Sequence, residues 1–207
     1  MTSSATVSVI DYGVGNLGSV LNMFRRIDVD AALVSSPEEI RSAGRLLLPG
    51  VGAFDAGMAG LRAKGLEDPI LERAASGVPV LGICLGMQML TTASEEGSAT
   101  GLGLIDARCV RFLPDPSIRI PHMGWSWVDP RGDHPMRPTA EPRQRYYFAH
   151  SYHARCDDDA DVAAVASHGQ TFSAVIVRDN VCGAQFHPEK SHHFGMAFLE
   201  RFSGWAA

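Results

Sequence analysis

Up to residue 83 the chain alternates short β-branched or leucine-rich runs with longer helix-like stretches, and no other feature restricts its fold as much. Runs at residues 7–10, 31–34, 45–48 and 78–83 read as strands. Helical patterns at 16–26, 54–64 and 68–75 lie between them, the last opened by Asp68 as cap with Pro69 in the first turn. Parallel strands joined by crossover helices satisfy such a pattern. The second half changes character. Strand-like runs fall at 108–112, 145–152, 162–167, 173–177 and 181–186, the last two separated by the turn-prone Asp179-Asn180, and a helix at 192–202 follows. The expectation is an α/β fold: an open, mostly parallel sheet with helices on both faces and an antiparallel extension. At 207 residues and 45% hydrophobic content, one core and a single domain over residues 1–207 are expected, with surface loops at 114–116 and 130–142.

Charge and cysteine usage exclude several classes of function. A net charge of -5 leaves no excess of Lys and Arg to neutralise phosphates, so nucleic acid is not an expected partner. Cys84, Cys109, Cys156 and Cys182 show no CxxC spacing, and the opening Met-Thr-Ser-Ser-Ala-Thr lacks the charged start and apolar run of a secretory signal, which points to the cytoplasm. The longest apolar candidate, residues 78–90, is interrupted by Pro79, Gly82, Gly86 and Gln88, so no membrane span is expected.

Chemistry concentrates at Gly82-Ile83-Cys84-Leu85-Gly86. A strand entering Gly-x-Cys-x-Gly must turn sharply, and the flanking glycines let the backbone crowd while the middle side chain is held out at the sheet's edge. A helix starting near Leu85 would add its dipole in favour of the thiolate. The bland alternative is a buried core cysteine. A nucleophilic thiol needs a base, an orienting group and oxyanion donors. Gln185-Phe186-His187-Pro188-Glu189 offers the first two: if the segment is extended, residues two apart point the same way and Glu189 can reach the imidazole of His187. The glycine corner Pro49-Gly50-Val51-Gly52, with the amide after the nucleophile at Leu85, offers the third, although an ordinary strand-to-helix turn would look the same.

Two patterns mislead. Gly13-Val14-Gly15-Asn16-Leu17-Gly18 matches GxGxxG, but the second strand ends in Val34-Ser35-Ser36, with no acid to hold a ribose. His187, His192 and His193, or His150 and His153, lack the spacing of a zinc site. Neither metal nor cofactor is expected.

The chain resembles the class I glutamine amidotransferases, and within them the branch of glutaminase subunits of imidazole glycerol phosphate synthase. The similarity runs almost end to end: Asp11-Tyr12-Gly13 with Gly15-Asn16, Pro49 to Gly52, Gly82 to Gln88, Ser94-Glu95-Glu96, Pro121-His122-Met123-Gly124-Trp125, Tyr147 to Tyr152, and Gln185 to Ser191. The resemblance implies Cys84 as nucleophile, His187 as base and acid, and Glu189 as its orienter. It also implies oxyanion donors at Val51 or Gly52 and at Leu85, and an L-glutamine pocket from Gly50, Gln88, Glu96, Ser151 and Tyr152. The implied reaction is hydrolysis of L-glutamine to glutamate and ammonia through a thioester. The implied partner is a (β/α)8 cyclase subunit in a heterodimer, met by Asn16, His122, Trp125, Ser126 and Lys190, which uses the ammonia in histidine biosynthesis. One position departs: Ser126 stands where the family usually has Asn. That departure keeps an alternative open, a paralogous branch supplying ammonia to a sugar amidotransferase in surface-polysaccharide biosynthesis.

Overall fold

The computed structural model describes residues 7–114, 116 and 118–206; the N-terminal start at 1–6 and part of the loop expected at 114–116 lie outside the described residues. In chain order the first half contains β1 (Val7–Ile10), α1 (Leu17–Arg26), β2 (Ala31–Val34), α2 (Pro37–Ser42), β3 (Leu46–Leu48), α3 (Phe54–Ala63), α4 (Glu67–Ala75), β4 (Val80–Ile83) and α5 (Leu85–Met89). The second half contains β5 (Ala93–Ser94), β6 (Ala107–Arg111), β7 (His122–Pro130), β8 (Gln144–His150), β9 (Tyr152–Cys156), β10 (Val162–His168), β11 (Gln170–Arg178), β12 (Val181–Ala184) and α6 (His192–Gly204).

Nine strands form one sheet in the order β2-β1-β3-β4-β12-β11-β10-β7-β8. From β2 to β12 every pairing is parallel, and from β12 to β8 every pairing is antiparallel. The two-residue period of the strands divides their side chains between two cores. Val7, Val9, Leu47, Leu81 and Ile83 pack on one face with Phe24 of α1 and Phe198 and Phe202 of α6. Ile10, Leu46, Leu48 and Val80 pack on the other with Phe54, Met58, Leu61 and Ile70 of α3 and α4. Helices therefore cover both faces of the parallel half.

Three local differences from expectation have physical causes. Helix α2 was too short for a periodicity signal, yet Ser36-Pro37-Glu38-Glu39 carries its start: the Ser36 hydroxyl accepts from the Glu39 amide and the Glu39 carboxylate accepts from the Ser36 amide. Strand β7 was missed because its alternation is inverted. His122 and Val128 are buried and Ser126 is half-buried on the inner side, while Met123, Trp125 and Trp127 face outward. The run expected at 145–152 is two strands, since the chain leaves the large sheet at Ser151 and continues as β9 in a three-stranded sheet of order β5-β6-β9. That crossing carries Ser151 and Tyr152 to the carboxyl ends of the parallel strands.

The GxGxxG turn serves packing. Gly13 and Gly15 sit at positive φ, and a Cβ on Gly15 would lie 3.7 Å from the Gly50 Cα, so this turn backs the 49–52 loop. Around Gly18 a Cβ would meet nothing within 4 Å, so the close helix packing that a dinucleotide fold asks of its third glycine is absent. Gly18→Ala is accordingly expected to stabilise the fold by about 0.5–1 kcal/mol, read from thermal melts.

Candidate active site

Strands β3, β4 and β12 are neighbours and parallel, so their carboxyl ends share one edge of the sheet. The 49–52 loop follows β3, Cys84 follows β4, and His187 follows β12. Residues far apart in sequence are thus delivered to one place by the topology.

Cys84 sits at φ 53° and ψ -107°, a conformation that costs a non-glycine residue roughly 1–3 kcal/mol. The surrounding glycines make it possible. A Cβ on Gly82 would come within 2.6 Å of the Gly86 carbonyl, and one on Gly86 would overlap the Leu48 carbonyl oxygen. The Cys84 amide donates to the Ala184 carbonyl at 2.8 Å, holding the corner beside β12. Helix α5 begins at Leu85 with Cys84 at its N-cap, as expected, and spans only five residues. The electrostatic partner is His187.

His187 is 2% exposed. Its Nδ1 lies 2.8 Å from Glu189 Oε1, and Cys84 lies on its other side. The segment is not extended as expected: a 3-10 turn at Pro188–Lys190 curls Glu189 back onto the ring. Ser191 staples the turn to β8, its hydroxyl donating to the His187 carbonyl at 2.7 Å and accepting from the Tyr147 amide at 3.0 Å. The His187 amide also donates to the Tyr147 carbonyl at 2.9 Å. Burial disfavours the imidazolium, but the hydrogen bonding and charge of Cys84 and Glu189 outweigh it and push the His187 pKa up to about 10. A pKa raised on folding contributes stability fully present below about pH 6.5 and lost as pH rises through about 10. Histidine NMR should find His187 still protonated near pH 8, and Cys84→Ala should lower its pKa by removing one of the two groups that raise it. An unchanged titration would mean that Cys84 does not share its proton.

A cavity of about 280 Å³ opens over Cys84 and His187, walled by Val51, Gly52, Leu85, Gln88, Glu96, Ser151, Tyr152 and Lys190 among others. Gly50 lies just behind it, where a Cβ would overlap the Tyr12 hydroxyl; that hydroxyl donates to the Pro49 carbonyl at 2.7 Å and pins the loop. Glu96 accepts from the Phe54 amide at 2.8 Å. Gln88 donates to the Tyr152 carbonyl at 3.1 Å and to Gln185 Oε1 at 3.4 Å, while Gln185 Nε2 reaches the Cys84 sulfur at 3.9 Å. Sequence reading missed Tyr12, Gln185 and Ser191 as supports, because the groups they hold, backbone for Tyr12 and Ser191 and side chains for Gln185, come from distant segments.

The residues expected at a partner face separate. Asn16 is exposed and caps α1, Trp125 is 40% exposed and stacks on His192 at 5.5 Å, and Lys190 is exposed with its ammonium 5.4 Å from the Tyr147 ring centre. His122 instead is buried, and Ser126 is half-buried and turned toward it, because both occupy the inner register of β7. Among the described residues no group of three His, Cys, Asp or Glu is placed to hold a metal ion, and no helix is long and apolar enough to cross a membrane. Cys109, Cys156 and Cys182 are free thiols whose pKa values burial pushes up, the first two to about 12.

A family model described as Glutamine amidotransferase class-I matches residues 8–203. The chain is 49% identical over 197 residues to a Pseudomonas aeruginosa protein named imidazole glycerol phosphate synthase subunit HisH 2, covering 95% of this chain and 98% of that one. It is 43% identical over 197 residues, with the same coverage, to a Methanococcus maripaludis protein of the same name. The fold superposes with a TM-score of 0.71 on the structure of PurLQS from Thermotoga maritima, at 18% identity over 96% of this chain and 97% of that one.

Proposed function

The chain belongs to the class-I glutamine amidotransferases, and on that premise we propose that it acts as the glutaminase subunit of an imidazole glycerol phosphate synthase in histidine biosynthesis. The single observation that carries the chemistry is His187 held between Cys84 and Glu189 at the foot of an open cavity.

In this reading Cys84, its proton passed to His187, attacks the γ-amide carbon of L-glutamine. The carbonyl oxygen takes the negative charge and meets the amide of Leu85 and one from Val51 or Gly52, each such donor contributing about 3 kcal/mol to the transition state. His187 then protonates the departing nitrogen, and ammonia leaves a γ-glutamyl thioester on Cys84. The same imidazole, again neutral, takes a proton from water as it attacks the thioester, and glutamate is released. Glu189 keeps Nδ1 protonated and the ring aimed throughout. Gln88, Glu96 and the Ser151–Tyr152 wall hold the amino-acid end of the substrate.

Ammonia formed here is consumed by a separate synthase subunit, a cyclase in the reading we adopt, forming a heterodimer. The outer face of β7 and β8 supports a docking place beside the cavity mouth. Met123, Trp125 and Trp127 are exposed there, Arg145 and Arg143 lie over the two tryptophan rings at 5.4 Å, and Lys190 adjoins them. Exposed aromatic and arginine side chains are what protein interfaces use as anchors. The names carried by the relatives favour the histidine branch over the surface-polysaccharide branch. Rescue of a histidine auxotroph lacking its own glutaminase subunit is the expected result; failure by a soluble, folded chain would redirect the ammonia to the sugar-modifying alternative.

A further inference from the structure

Behind the Ser151–Tyr152 wall runs a chain of three hydrogen bonds. Ser126 Oγ lies 3.0 Å from His122 Nε2, His122 Nδ1 lies 3.2 Å from His150 Nε2, and His150 Nδ1 lies 2.7 Å from the Tyr152 carbonyl oxygen. The last group can only accept, and this fixes every proton in the chain. His150 must carry its proton on Nδ1. When neutral, its Nε2 is then an acceptor, so His122 must present Nδ1–H; that leaves His122 Nε2 as an acceptor for the Ser126 hydroxyl. Any other distribution sets two lone pairs or two protons against each other inside the core.

The rings are held as well as bonded. His122 stacks between Phe148, at 5.0 Å, and His168, at 4.2 Å, and Phe112 lies 5.1 Å from His150. Burial lowers the pKa of His122 to about 4 and of His150 to about 3, which keeps both rings neutral with one proton each. The Tyr152 carbonyl at the end of the chain also accepts from Gln88, and Gln88 leads through Gln185 to the Cys84 sulfur.

We propose that Ser126, His122 and His150 are positioning residues: a one-directional relay that fixes the Tyr152 carbonyl and, through it, the Gln88 amide in the substrate cavity. Buried imidazoles cost more to desolvate than the aromatic rings around them, and their arrangement, with every proton assigned and the last one aimed at the cavity wall, is what offsets that cost. The kinetic part of the inference rests on the glutaminase reading; the proton assignment does not.

The test has two arms. Long-range nitrogen–proton NMR on the histidine-labelled chain should find both His122 and His150 as Nδ1–H tautomers near neutral pH, and an Nε2–H tautomer at either residue overturns the relay. In the complex with the synthase subunit, His122→Phe keeps a ring in the stack but removes both nitrogens. It should raise the KM for glutamine about tenfold with kcat within about twofold, because binding before and at the transition state suffers alike. An unchanged KM in a folded variant overturns the proposal. Should His122→Phe fail to fold, Ser126→Ala and Ser126→Thr decide: the relay requires that Ala raise KM and that Thr, which retains the hydroxyl, restore it, and equal behaviour of the two overturns it. If the wild-type complex releases no glutamate from glutamine, the glutaminase reading fails while the tautomers still decide the relay.

Discussion

Cys84→Ala should lower glutamine-dependent kcat/KM by about 10⁴-fold or more in the complex with the synthase subunit, because in the proposed mechanism Cys84 is the nucleophile and its loss eliminates the covalent route altogether. No other thiol can substitute. Cys109 and Cys182 are buried elsewhere in the core and Cys156 lies at the end of β9 away from the cavity wall at Tyr152, so none lines the cavity with His187. The cavity walls at Gln88, Glu96 and Tyr152 are untouched, so glutamine should still bind, measurable by calorimetry. Synthesis supplied with ammonium salts in place of glutamine should proceed, since only the source of nitrogen is lost. Residual glutamate release near the wild-type rate would sink the thioester mechanism.

A comparable loss, this time of stability, is expected from Gly86→Ala. The added Cβ would overlap the Leu48 carbonyl oxygen at the end of β3, and backbone cannot move aside as a flexible side chain can. Relief requires α5 to lift from the sheet or β3 to slide against β4, either of which costs about 3 kcal/mol or more. For a chain of this size that is a fall of roughly 6–12 °C in melting temperature. Activity should fall in the soluble fraction too, since Leu48 leads into the 49–52 loop and Gly86 follows Cys84. A melt within about 2 °C of wild type would contradict the crowding.

How much of this was legible in sequence depended on whether the cause was local. The elbow at Cys84 could be read because its requirement, two glycines around a forced corner, is written within five residues. The parallel half of the sheet could be read because its strands are apolar on both faces and punctuated by helices. Strand β7 could not, because its polar side faces inward onto a histidine cluster and its tryptophans face out, the reverse of what alternation normally encodes. His122 and Ser126 were expected at a partner face from the family resemblance, and nothing in the sequence gives the register of a strand whose pattern is inverted. The backing residues Tyr12, Gln185 and Ser191 were illegible in a different way. Their bonds run to backbone groups of Pro49 and Tyr147 or to the Gln88 side chain on α5, and only the assembled fold brings those within reach.

The placement of β12 between β4 and β11 also bears on the chain as it is being made. Cys84 leaves the ribosome about 100 residues ahead of His187, and the strand that delivers His187 must enter the middle of the sheet, not its edge. Until that late insertion is complete the thiol has no imidazole beside it and the Cys84 amide has no Ala184 carbonyl to hold its corner. Chains truncated before β12 are therefore expected to release no glutamate from glutamine.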